Sequence, residues 1–311
     1  MNRITPLLVA LLQSYFFIIV VALSAALLFP NNVIGLAPFG TFFLQIIFFL
    51  TSLKLDPQEV LKAIRNWPLL LAANAFTLII LPAVTYVVAR SLVPDLAVPL
   101  MLIAALPTGM TAPLLCEVVG GRVGLALVVA LTTSLLAPLS IPLVVGTLAS
   151  TAVNVSMLTM FWSLVKVIIM PFILAQIVKK LWDRKIRFTF FTFKPVSLIL
   201  LGLLIAGAVA KQADYIIDNF GNVVISQLIV LSIYMLAVLL VGYYVAFWRQ
   251  CDERATVAVS MAYMNFTLGI YLAGQFFNDP NVLLASVLVI FPWALSLFPF
   301  KWIVRRFVCS S

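Results

Sequence analysis

Histidine is missing from this chain of 311 residues, and only 10 acidic side chains stand against 19 basic ones. The first absence removes imidazole proton relays and imidazole metal ligands. It also removes any HExxH site; with no clustered acids in the apolar spans and no plausible serine–base pair, the chain offers no constellation of an enzyme. Cysteine is scarce: Cys116, Cys251 and Cys309 have no paired spacing, so neither a disulfide framework nor a zinc site is expected. Charge is scarce as well. Only 9% of residues are charged and 64% are hydrophobic, where a soluble domain carries about a quarter charged. Too little polar surface remains to coat a water-soluble globule, so the solvent of this protein is lipid.

What is present is apolar sequence in blocks. A helix needs about 20 mostly apolar residues to cross a hydrocarbon core of ~30 Å. Runs of that kind lie at 12–30, 36–54, 67–90, 96–119, 122–148, 155–178, 195–212, 221–248, 254–277 and 281–304. Turn signals at Pro30-Asn31-Asn32, a charged amphipathic stretch from Lys54 to Arg65, and a strongly basic stretch from Lys179 to Lys194 separate them. Ala22-Leu23-Ser24-Ala25 has the small-residue spacing of a leader cleavage site, but it lies inside the apolar run behind a lone Arg3, so a retained first span is expected.

A net charge of +9 would point to nucleic acid in a soluble protein. Here the basic residues flank the apolar runs. Alternating ten spans from an inner N-terminus puts 16 of the 19 Lys and Arg residues on the inner side; Arg90 and Lys211 fall outside, and Lys166 falls within a span. This is the positive-inside bias, and it predicts cytoplasmic N- and C-termini and no nucleic-acid partner. Because five is odd, two halves of five spans enter the membrane in opposite senses, the inverted repeat common among secondary transporters. The halves are expected at 1–150 (spans one to five) and 151–311 (spans six to ten), in a monomer of a prokaryotic inner membrane.

The fourth and ninth spans occupy corresponding places in the two halves, and both look interrupted. The fourth reads Leu106-Pro107-Thr108-Gly109-Met110-Thr111-Ala112-Pro113. Pro107 cannot donate a hydrogen bond, Gly109 tolerates an unwound backbone, and Pro113 suits the first turn of a restarted helix. The ninth carries Tyr263, Asn265 and Thr267 at its middle, without proline. Broken backbone at membrane depth survives only inside protein or beside water. Two breaks meeting near the midplane would aim half-helix N-termini at one cavity, which suits an anion. Thr108, Gly109, Thr111, Tyr263, Asn265 and Thr267 are therefore the candidate substrate-binding residues.

These motifs resemble the bile acid:sodium symporter family of ten-helix organic-anion transporters over nearly the whole chain. The likeness rests on Thr51-Ser52-Leu53-Lys54-Leu55-Asp56-Pro57 with Trp67-Pro68, on Leu106-Pro107-Thr108-Gly109 followed by Gly121-Arg122-Val123-Gly124, and on Pro138 and Pro142. It implies an all-α integral membrane protein with a panel domain (spans one, two, six and seven) and a core domain (spans three to five and eight to ten). Helices four and nine would cross in the core, and substrate would lie between core and panel. The chain departs from the sodium-coupled members: Ala258 and Ala262 stand where the resemblance implies a glutamate and a glutamine, Ala112-Pro113 where it implies Ser-Asn, and Ala126 and Ala130 where it implies hydroxyls. Methyl groups do not bind a hard cation, so no cofactor is expected, and sodium only with ligands other than the usual ones. Arsenite exporters of the same superfamily carry a cysteine right after the Ala-Pro pair; here Leu114 stands there and Cys116 comes two residues on, against thiol-dependent arsenite chemistry.

Two charged residues fall within spans. Lys166 lies halfway along span six, where a charge costs at least ~2.5–3.5 kcal/mol and is usually paired or functional. It is a candidate for binding an anionic substrate or for replacing the missing cation; snorkelling along its stem is the plain alternative. Glu117 closes span four and is a candidate for proton coupling, or else an ion-pair partner of Arg122. Gln45, Asn74, Thr77, Thr132, Thr133 and Ser134 are further polar side chains in spans, which more often bond to backbone or to neighbouring helices. The expected function is alternating-access transport of a small organic anion; a sodium symporter with rearranged sites, and a channel or receptor-like membrane protein, are the alternatives.

Overall fold

The computed structural model describes residues 15–54, 67–150, 156–187 and 190–303. Arg3, Asp56-Pro57, Lys62 and Arg65 of the amphipathic stretch, Arg305 and Arg306 lie outside these. Among the described residues the chain is all-helical, with one isolated antiparallel bridge between Thr108 and Met264. Among the described residues seven helical segments are long and apolar enough to cross a membrane. They are α2 (Gly40–Ser52, preceded by short helical turns from Pro30), α3 (Trp67–Leu92), α6 (Val123–Leu148), α7 (Met157–Trp182), α8 (Phe190–Ala210), α9 (Phe220–Val245) and α12 (Pro280–Ile303). α1 (Tyr15–Leu28) and the two halves of each interrupted segment are shorter: α4 (Ala97–Ala105) with α5 (Ala112–Val119), and α10 (Cys251–Ala262) with α11 (Phe266–Phe276).

Exposure follows the solvent read from the composition. Leu139, Ile177, Ile233 and Phe298 present large apolar surface outward, while Ala, Gly and Ser fill helix–helix contacts. Lipid gives no hydrophobic drive for helix association, so close backbone approach through small residues takes its place. Gly242 of α9 illustrates this: a Cβ there would sit 2.8 Å from the Ala258 Cα of α10. α1, α2, α7 and α8 pack on one another, and α3 to α6 pack with α9 to α12.

α3 and α7 each contain one wide π-turn, Phe76–Ile80 and Val165–Ile169. Both have the same cause. The Leu81 N–H reaches back to the Phe76 carbonyl and the Met170 N–H to the Val165 carbonyl. Next in line come Pro82 and Pro171, which have no N–H to give. The ladder widens where its donor is missing.

Candidate functional site

α4 ends where Leu106 turns extended (φ −69°, ψ 143°) ahead of Pro107, since a residue before proline is pushed out of helical geometry. α5 restarts with Pro113 in its first turn. Opposite, α10 stops at Tyr263 and α11 starts after Asn265, whose Oδ1 accepts the Leu268 N–H at 3.2 Å. The two breaks cross and satisfy each other: the Gly109 N–H donates to the Tyr263 carbonyl at 2.8 Å, and the Asn265 N–H donates to the Pro107 carbonyl at 2.7 Å. A two-strand rung thus replaces helical bonds that neither segment can make alone. Glycine is required at 109, because a Cβ there would lie 2.8 Å from the Met264 carbonyl oxygen.

Around the crossing the side chains are committed to the scaffold. Thr108 is fully buried; its Oγ1 donates to the Ser260 carbonyl at 2.7 Å, and its N–H donates to Thr133 Oγ1 at 3.1 Å. The buried Tyr263 hydroxyl pairs with Ser296 Oγ at 3.1 Å. Thr111, Asn265 and Thr267 are partly exposed. The structure therefore divides the six residues: Thr108, Gly109 and Tyr263 build the crossing, and Thr111, Asn265 and Thr267 border it.

A second polar cluster gathers three helices. Tyr271 Oη on α11 meets Ser163 Oγ on α7 at 2.7 Å and Thr41 Oγ1 on α2 at 3.2 Å. Residues three or four apart share a helix face, so each member has a polar neighbour about one turn away: Thr267 on α11, Lys166 on α7 and Gln45 on α2. Gln45 Nε2 donates to the Lys166 carbonyl at 3.1 Å, and the Lys166 side chain is exposed. None of Tyr271, Ser163 and Thr41 was singled out from sequence; the available signal was this i, i+3 or i, i+4 spacing of polar residues within apolar helices.

A third cluster ties α10 to the α5–α6 turn. Arg122 Nε lies 2.6 Å from Asp252, and its Nη1 lies 2.6 Å from Glu253, which is only 3% exposed. Arg249 closes on the same Glu253 carboxylate at 2.5 Å, which holds the guanidinium pKa above its ordinary value. The Arg122 N–H donates to Thr256 Oγ1 at 2.8 Å. The expected Arg122–Glu117 alternative is thus replaced: α10 presents two carboxylates to Arg122 across the turn, and Glu117 is exposed on α5. Cys116 is a buried free thiol, whereas Cys251 is disulfide-bonded, against the expectation from cysteine spacing.

At the positions where the resemblance implies sodium ligands, the chain offers methyl groups. Ala112, Ala126, Ala130, Ala258 and Ala262 are all 0% exposed, so these places are filled by packed methyl groups rather than oxygens. A Cβ at Gly242 would meet the Ala258 Cα, so α9 has no room for a side chain there. Among the described residues no group of three or more Cys, Asp or Glu could hold a metal ion.

Comparison with known proteins gives two findings. The "Probable sodium/metabolite cotransporter BASS1, chloroplastic" of Arabidopsis thaliana is 22% identical over 192 residues, covering 61% of this chain and 47% of the relative. The chain thus spans about half the length of the curated relative it matches. Residues 13–307 match a transporter family, a range that contains both interrupted segments. An all-helical, apolar, non-enzymatic membrane protein is what such a transporter requires, and the chain belongs to the SBF-like CPA transporter family.

Proposed function

We propose that the protein is a secondary carrier for a small organic anion, with ten spans arranged as two inverted repeats, 1–150 and 151–311. Spans four and nine are α4/α5 and α10/α11. The panel is α1, α2, α7 and α8, the remaining helices form the core, and both termini lie in the cytoplasm of a prokaryotic inner membrane. The observation that carries the reading is the exposed Lys166 about one turn from a hydrogen-bonded seam between panel and core. In the ten-span topology α11 runs opposite to α2 and α7, so Gln45, Lys166 and Thr267 lie on the same side of that seam, towards the crossing. The anionic group would pair with Lys166, with Thr267, Thr111 and Asn265 bordering the rest. The seam, Tyr271 with Ser163 and Thr41, closes the outer side. Towards the cytoplasm α10 packs on α9, α6 and α5, and the second half of α7 packs on α2. Alternating access is then breakage of the outer seam and closure of the inner side.

Coupling proceeds without the usual sodium ligands, through Lys166 or the exposed Glu117. One observation favours a second reading, a rearranged sodium site. Asn74 Oδ1, Thr77 Oγ1, Ser134 Oγ and Ser260 Oγ are buried with no protein partner, and buried polar atoms without partners call for an explanation. Melting temperature across a panel of organic anions, each in sodium, potassium and choline at two pH values, decides between the two, since ligands of the folded state raise it by mass action. Stabilisation independent of sodium is expected. Stabilisation that needs sodium establishes the second reading, and no stabilisation by any anion removes both.

A further inference from the structure

The π-turn in α7 places Lys166 at a defect in its own helix. The Met170 N–H bonds the Val165 carbonyl, so the donor due to the Lys166 carbonyl belongs to residue 171, a proline. An orphan carbonyl inside a membrane helix costs as much as a lost hydrogen bond or more. The Lys166 carbonyl is not orphaned: Gln45 Nε2 reaches across from α2 and donates to it at 3.1 Å. The equivalent π-turn in α3 has Thr77 at the matching place, five residues before Pro82. Pro171 thus opens the helix, and Gln45 occupies the opening.

This has a directional consequence. A π-turn carries one residue more than an α-turn, and closing it turns the following residues by about 100° about the axis. Val167 and Ile168 are buried at 0% and 2%, while Lys166 between Val165 and Val167 is exposed. The lysine's bearing therefore depends on the turn staying open. We propose that Gln45 is a positioning residue: by bonding the carbonyl that Pro171 frees, it fixes the π-turn and with it the direction in which Lys166 offers its ammonium group. The importance of that direction rests on the reading of Lys166 as the anion's partner.

The test reads direction without any substrate. Lys166→Cys in the full chain, reconstituted in liposomes, is labelled with a positively charged thiosulfonate, and the chain without that substitution serves as blank for the native cysteines. Rates are compared alone, with Gln45→Leu, with Pro171→Ala, and with both. Gln45→Leu is expected to change the rate about tenfold, the scale of one hydrogen bond of this kind. Pro171→Ala supplies the absent N–H, so adding Gln45→Leu to it should change nothing further. A folding defect would not be cancelled by Pro171→Ala, so suppression separates positioning from general loss of structure. A rate that stays within about twofold on Gln45→Leu, or effects of the two substitutions that simply add, overturns the proposal. Separately, Lys166→Met should abolish stabilisation by whichever anion raises the melting temperature. If it does not, the reading of Lys166 falls while the labelling result still decides the role of Gln45.

Discussion

The helix crossing and the polar layer about Lys166 are built from similar materials and treated in opposite ways. At the crossing, Pro107 and Gly109 break one helix, and the freed backbone groups find partners on the other broken segment within 2.8 Å. The hydroxyls of Thr108 and Tyr263 are buried and spent on neighbours. In the polar layer, Pro171 also disturbs a helix, but the repair is one side-chain bond from Gln45, and the strongest polar group present is left exposed. A rigid, internally satisfied crossing sets position. The exposed side chain beside it is the one the proposed function assigns to the anion.

The contrast can be broken most severely at Gly109. Gly109→Ala pushes a methyl into the Met264 carbonyl, where backbone must move on both segments, and should cost about 3 kcal/mol, the upper range for overpacking. Denaturant titration of the purified protein checks this; a cost near zero would show that the crossing is softer than its geometry. Next comes the ionic tie at the α5–α6 turn. Glu253→Gln removes the one buried charge of that cluster and should cost about 2 kcal/mol, reduced from the fully buried case because Arg122 and Arg249 remain partly hydrated. A melting temperature unchanged by the substitution would show that the tie contributes nothing.

Smaller structural effects are expected in the polar layer, with larger functional ones. Lys166→Met should leave stability within about 0.5 kcal/mol, as for exposed positions, and lower uptake of a stabilising anion at least tenfold, roughly 1.4 kcal/mol. Equal uptake by the two proteins would end the assignment of Lys166. The mildest pair separates the regions directly. Tyr271→Phe and Tyr263→Phe each delete one hydroxyl and should each cost about 1 kcal/mol or less. Tyr271→Phe alone should raise the outward accessibility of a cysteine placed at Thr267, because only that hydroxyl holds the seam. Matching accessibility in the two variants would remove the seam from the transport cycle.

Much of the helical framework could be read from the sequence, because apolar runs and prolines act locally. The break at Pro107 was legible for that reason. The break at Tyr263-Met264-Asn265 was legible only as polar residues in an apolar run, since its cause is a hydrogen-bond partner some 155 residues earlier in the chain. The same distinction explains the site. Lys166 stands out as a charge where charge is costly. Thr41, Ser163 and Tyr271 are individually ordinary and gain meaning only from meeting. Nearness in sequence pairs Arg122 with Glu117, whereas the fold brings Asp252 and Glu253 to it instead.

The mutual repair of the two breaks also bears on how the protein is made. The Pro107 carbonyl receives its bond from the Asn265 N–H, a group translated long after Pro107 itself. Until then the Pro107 carbonyl lacks that partner. The crossing is complete only when α10 and α11 arrive, so a truncation that ends before Cys251 should be cleared by the cell as unfinished.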